Sequence, residues 1–176
     1  MELKPQDILV LFKQVANPDQ RWTYASLGET LQMSASQVHR SVQRSLAAGL
    51  AVSKARGEWQ AARAALLEFA VHGVRYALPA TLGAARRGIP TSFGASPLAA
   101  RIASASDEAP VWAHPQGKAK GPSLSPLCRN APDAALADPR LHQLLALLDA
   151  LRTGRARERD LAKQLLETAL VGHGAG

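Results

Sequence analysis

The chain is predicted to be mainly α-helical, with three N-terminal helices, a β-hairpin, an irregular arm and C-terminal helices. Three observations carry that prediction. Hydrophobic residues make up 47% of the 176, and many are alanine or leucine, which favour helices over strands. Apolar positions recur at three- and four-residue spacing up to residue 77 and again after residue 138. Between these stretches, phrases such as GIPTSFGASPL and GKAKGPSLSPL are broken by Gly, Pro and Ser and keep no period.

Each element has its own local cause. Pro5 fits the first turn of a helix, where its missing N–H costs nothing. Ile8, Leu9, Leu11, Phe12 and Val15 then form an apolar stripe, which Asn17-Pro18-Asp19 ends. Trp22-Thr23-Tyr24 reads as a brief extended piece. Ser26 caps a short helix to about Gln32 that buries Leu27 and Leu31. Ser34 and Gln37 have the spacing of a capping box for a third helix. Val38, Val42 and Leu46 mark its buried side, and Gly49 stands where a left-handed residue often closes a helix. Leu50 to Ser53 and Glu58 to Gln60 read as strands joined by the turn Lys54-Ala55-Arg56-Gly57. A helix follows over residues 61–77, with Leu66, Phe69, Ala70, Val74 and Ala77 on its apolar side and Pro79 beyond it.

Residues 79–137 form the arm, too rich in apolar groups (Phe93, Val111, Trp112) for a flexible linker. Within it PVWAHPQGKAKG suggests a small hairpin. Asp138-Pro139 is a strong helix start. Leu141, Leu144, Leu145, Leu148 and Leu151 follow as a dense stripe, and a last helix runs from about Ala156 to Leu170. The organisation expected is therefore 1–78, 79–137 and 138–176.

Net charge is +7, which suits a polyanionic partner. It is spread along the chain, so any basic patch must be made by folding. A single cysteine, Cys128, excludes an intramolecular disulfide and points to a reducing, cytoplasmic setting. No signal peptide or membrane span is expected, because the N-terminal apolar run is short and broken by Lys13.

The order of short helix, tight turn, capped helix, glycine and basic-tipped hairpin resembles the winged helix-turn-helix DNA-binding family, in particular MarR-like bacterial regulators. The resemblance rests on residues 26–52, SLGETLQMSASQVHRSVQRSLAAGLAV, and extends over roughly 5–60. It is carried by Leu27 and Leu31, then Ser34, Ser36, Val38, Arg40, Gly49 and Leu50. Two features depart from it: Leu46 stands three residues before the glycine, where the family often has its leucine four before, and the wing is short. The resemblance implies a recognition helix that lies in the major groove, its DNA-contacting candidates being Ser34, Ser36, Gln37, His39, Arg40, Gln43 and Arg44. Arginine can pair with guanine and glutamine with adenine, while small serines permit close approach to phosphate. Lys54 and Arg56 at the wing tip are the phosphate or minor-groove candidates. Against this stands the plain reading of Arg40 and Arg44 as the solvated face of a surface helix.

No catalytic constellation, cofactor motif or metal-ligand spacing is visible. The five histidines have no H-x-x-x-H or Cys-paired spacing. GAARRG at 83–88 lacks the lysine a phosphate loop requires, Ile89 standing in its place. Arg86 and Arg87 are left as backbone contacts to DNA or as solvated residues. The function expected is that of a sequence-specific regulator of transcription, a dimeric repressor that reads double-stranded DNA. Its dimer interface is expected at Leu141, Leu144, Leu145, Leu148 and Leu151, because an exposed leucine stripe needs a cover. The alternative is an antitoxin-like protein that holds a heterologous partner through the same surface and represses its own promoter.

Overall fold

The computed structural model describes residues 1–102 and 108–172. Residues 103–107 of the expected arm and the last four residues lie outside the described part. The fold is mixed α/β: helices dominate, and among the described residues there are one two-stranded and one three-stranded sheet. Among the described residues no helix is long and apolar enough to cross a membrane.

Helix α1 (Pro5–Ala16) begins at the proline expected to start it. The Asp7 carboxylate accepts the Lys4 N–H at 2.8 Å and so caps its first turn. Ile8 to Phe12 are buried without exception. The helix is thus enclosed on all sides rather than along one stripe. In α2 (Tyr24–Leu31) the cap is Thr23 rather than Ser26. Thr23 Oγ1 accepts the Ser26 N–H and Ser26 Oγ accepts the Thr23 N–H, each at 3.0 Å, so the extended piece ends one residue early. Gln32 closes this helix in the left-handed region, with φ 53°.

The expected capping box opens α3 (Ala35–Ala47): Gln37 Oε1 accepts the Ser34 N–H at 2.8 Å and Ser34 Oγ accepts the Gln37 N–H at 3.2 Å. Gly49 follows with φ +73°. Strands β1 (Ala51–Ser53) and β2 (Trp59–Ala61) pair antiparallel, Val52 opposite Gln60. Gln14 on α1 pins this hairpin, its amide donating to the Trp59 carbonyl at 3.0 Å and accepting the Ala61 N–H at 2.6 Å. The single helix expected over 61–77 is two, α4 (Arg63–His72) and α5 (Val74–Ala77), broken at Gly73. Glycine is a poor helix residue, and here a Cβ would press on the Phe69 ring and carbonyl at 3.1 Å.

The arm is more regular than its composition suggests. β3 (Leu82–Pro90) pairs antiparallel with both β4 (Val111–Ala113) and β5 (Ala119–Leu124). The antiparallel hairpin expected within residues 110–121 does not form: β4 and β5 both pair with β3 and close against each other through a parallel bridge, Val111 beside Ser123. Glycine makes the crossing possible, since a Cβ on Gly117 would strike the Gly88 backbone. The arm ends in a helix not foreseen, α6 (Ala131–Ala137).

Helices α7 (Pro139–Thr153) and α8 (Ala156–Val171) close the chain. Helix α7 is buried from Leu144 to Arg152 and packs against α1, α5, α6 and α8. A helix covered on every side over that length belongs inside a fold, and the charged groups it carries there, Asp149 and Arg152, pair with each other. One hydrophobic cluster, from Ile8 to Leu170, therefore joins all three expected segments. Asp149, 1% exposed, ties the arm to this helix. Its carboxylate accepts from Thr91 Oγ1 at 2.7 Å, Trp112 Nε1 at 2.8 Å and Arg152 Nη1 at 2.9 Å.

Asp138 caps α7, accepting the Arg140 and Leu141 N–H groups. Lys13 Nζ and Asn17 Nδ2 donate to the same carboxylate at 2.6 and 2.8 Å, so the cap also fastens α1. Burial works against the carboxylate, but Lys13, Asn17 and the Leu141 N–H outweigh it and hold its pKa below the usual value. A lowered folded pKa gives stability that is complete above the unfolded value and lost as pH falls through the folded one. Asp138→Asn is accordingly expected to melt lower than the parent near neutral pH. The two melting curves should converge in acid, where a protonated Asp138 resembles asparagine; a gap that persisted there would contradict this account.

Candidate nucleic-acid interface

The third helix divides sharply. Val38, Ser41, Val42 and Ser45 are buried against α1 and α2. Leu46, expected to complete that side, is only half-buried. The face away from the core carries Ser36, Gln37, His39, Arg40 and Gln43, all exposed, with Ser34 exposed at its start. Spacing of three and four residues puts His39, Arg40 and Gln43 side by side.

Their hydrogen bonds differentiate them. Arg40 donates through Nε to the Ser36 carbonyl at 3.4 Å, which leaves the two terminal guanidinium nitrogens for a bidentate acceptor. Gln37 spends its carbonyl oxygen on the cap, so only its NH₂ points outward and a two-point adenine contact is lost to it. Gln43 Nε2 lies 3.5 Å from His39 Nε2. His39 packs edge-on against Tyr24, ring centroids 5.1 Å apart, and is thereby fixed in direction. Ser34 and Ser36 hydroxyls lie 3.2 Å apart at the exposed N-terminus of the helix.

Arg44 does not belong to this face. Its Nε and Nη2 donate to the two oxygens of Asp7 at 2.8 and 2.6 Å, and Nη2 also donates to Ser41 Oγ at 3.1 Å. Asp7 is wholly buried. The physical reason lies in the helix period: Arg44 follows Ser41 by three residues and lies on the side turned to α1. The hydrogen-bonded Asp7, despite the burial that opposes it, raises the Arg44 pKa. Its place as a DNA contact is withdrawn.

Lys54 and Arg56 are both exposed at the hairpin tip. The Lys54 N–H donates to the Glu58 carbonyl at 2.7 Å, and Arg56 takes a left-handed conformation with φ 63°, so the tip is tight and both cations project outward. Arg21 and Glu58 form an exposed pair at 2.7 Å beside it, a contact of small worth. Sequence reasoning missed two supports of this surface, Tyr24 under His39 and Gln14 behind the hairpin. Neither carries a local pattern that announces its partner.

The leucines expected at a dimer interface are interior residues. Leu141, Leu144, Leu145, Leu148 and Leu151 are each at most 5% exposed within a single chain. Helices of the same chain supply the cover that was assigned to a second copy. Cys128 is half-buried, and burial raises its thiol pKa, the reverse of what a nucleophile requires. Comparison with protein-family models, with curated proteins and with solved structures finds no match to this chain.

Proposed function

We propose that the protein is a sequence-specific double-stranded-DNA-binding regulator of transcription whose residues 5–61 act as a winged helix-turn-helix. One observation carries this reading. A capped helix presents an exposed row of Ser36, His39, Arg40 and Gln43, beside a hairpin whose tip exposes Lys54 and Arg56 and whose base is pinned by Gln14. A solvated helix face needs no such fixing. In this reading Arg40 is the base-reading residue, with guanine O6 and N7 as its acceptors. Gln43 and His39 contact neighbouring base edges, the serines and the free NH₂ of Gln37 meet phosphate at the helix start, and Lys54 and Arg56 hold the flanking backbone.

The test compares two variants on a selected site and on random duplex. Arg40→Ala is expected to cost about 1–3 kcal/mol on the selected site and to narrow the gap between the two DNAs. Lys54→Ala is expected to weaken both DNAs alike. The parent should lose affinity linearly in log salt. Binding that ignored salt, or two variants that kept the parent's discrimination, would overturn the proposal.

A further inference from the structure

A second group of exposed cations lies on the three-stranded sheet. Arg86 and Arg87 stand on β3, and Arg87 is directly opposite Lys120 of β5. All three are exposed, as is Lys118 just before β5. Like charges facing each other across a strand pair destabilise a sheet, and none of these four forms an ion pair among the described residues. Such an arrangement is one that a polyanion relieves.

The sheet is not remote from α3. Asn130 Nδ2 donates to the Leu31 and Gln32 carbonyls at 3.0 and 3.1 Å, just ahead of that helix. Asp133, one turn further along α6, lies 2.8 Å from His114 Nε2. The Gln116 N–H donates to His114 Nδ1 at 3.1 Å, so Nε2 carries the proton that Asp133 accepts. The His114 N–H in turn donates to the Arg87 carbonyl at 3.3 Å. A short, hydrogen-bonded bridge thus runs from the turn before α3 to Arg87, with exposed Arg129 at its near end.

We infer that Arg87 and Lys120, with Lys118 just before β5 and Arg129 at the α3 end of the bridge, form a second contact with the phosphate backbone of duplex DNA, outside the bases that α3 reads. This rests on the proposed DNA-binding function and assigns the arm a role in it. Contacts of this kind set footprint and salt dependence and leave sequence preference untouched.

The experiment titrates the full chain and Arg87→Ser/Lys120→Ser with a duplex of about 10 base pairs, close to one helical turn, and with one of about 25. Both substituted residues are exposed, and a thermal melt no lower than the parent's is expected from removing the facing charges. Arg87→Gln alone serves as a milder second variant. On the long duplex the double variant should lose roughly eightfold in affinity per contact at about 0.1 M salt, and its log–log salt slope should fall by about 2. On the short duplex the two proteins should bind alike. Equal affinity and slope on the long duplex, or equal losses on both, would overturn this second contact and leave the DNA-binding function standing. A parent that bound neither duplex would overturn both.

Discussion

Asp7→Ala is expected to lower the stability of the fold by about 3–5 kcal/mol, the loss typical when one partner of a buried ion pair is removed and the other is left behind. Asp7 is 0% exposed and Arg44 8%. Their two-point contact, with bonds of 2.8 and 2.6 Å, is the polar joint between α1 and α3. Without the carboxylate, the guanidinium keeps among the described residues only Ser41 Oγ as a side-chain acceptor, and the first turn of α1 loses its cap as well. A double change, Asp7→Leu with Arg44→Met, should recover much of the loss, because an apolar pair of similar volume costs no desolvation. Urea unfolding of the three proteins measures this directly. The DNA-reading alternative for Arg44 makes the opposite forecast: Arg44→Ala would then leave unfolding unchanged and shift base preference instead.

Arg44 also shows where sequence reasoning stops. Period and capping were legible. Ser34, Gln37 and Gly49 announced α3 and its end because those signals are local, and Asp138-Pro139 announced α7 for the same reason. The outward direction of Ser36, His39, Arg40 and Gln43 followed once Val38 and Val42 were placed inside. The fate of Arg44 depends on Asp7, thirty-seven residues away, and nothing near either residue predicts the pairing. Strand β3 was hidden for another reason. From Leu82 to Arg87 every residue is exposed, so no alternation of apolar and polar residues marks it. The arm's register depends on contacts among Gly88, Gly117 and Trp112 and on the reach of Trp112 to Asp149, all non-local. Composition recorded that the arm was ordered and could say no more.

Leu148→Ala is expected to cost about 2–5 kcal/mol, with no change in subunit number. The leucine stripe of α7 satisfies two descriptions equally well at the level of spacing, since a surface helix that pairs with a second copy and a central helix that packs on its own chain both need leucines every three or four residues. What separates them is the other side of the helix. Ala146, Leu147 and Ala150 are at most 2% exposed, so the face opposite Leu141, Leu144 and Leu148 is covered too, and a two-fold partner covers only one face. Leu148 itself is fully buried. Truncating it removes three carbons from the buried side of a helix that packs on both α1 and α8. The cavity relaxes little where the neighbours belong to different, rigid elements, which puts the expected cost toward the upper part of that range. Thermal melting beside sedimentation distinguishes the two descriptions. Interior packing gives a lower melting temperature at an unchanged mass. A variant that kept the parent's melting temperature and fell from dimer to monomer would return these leucines to an interface.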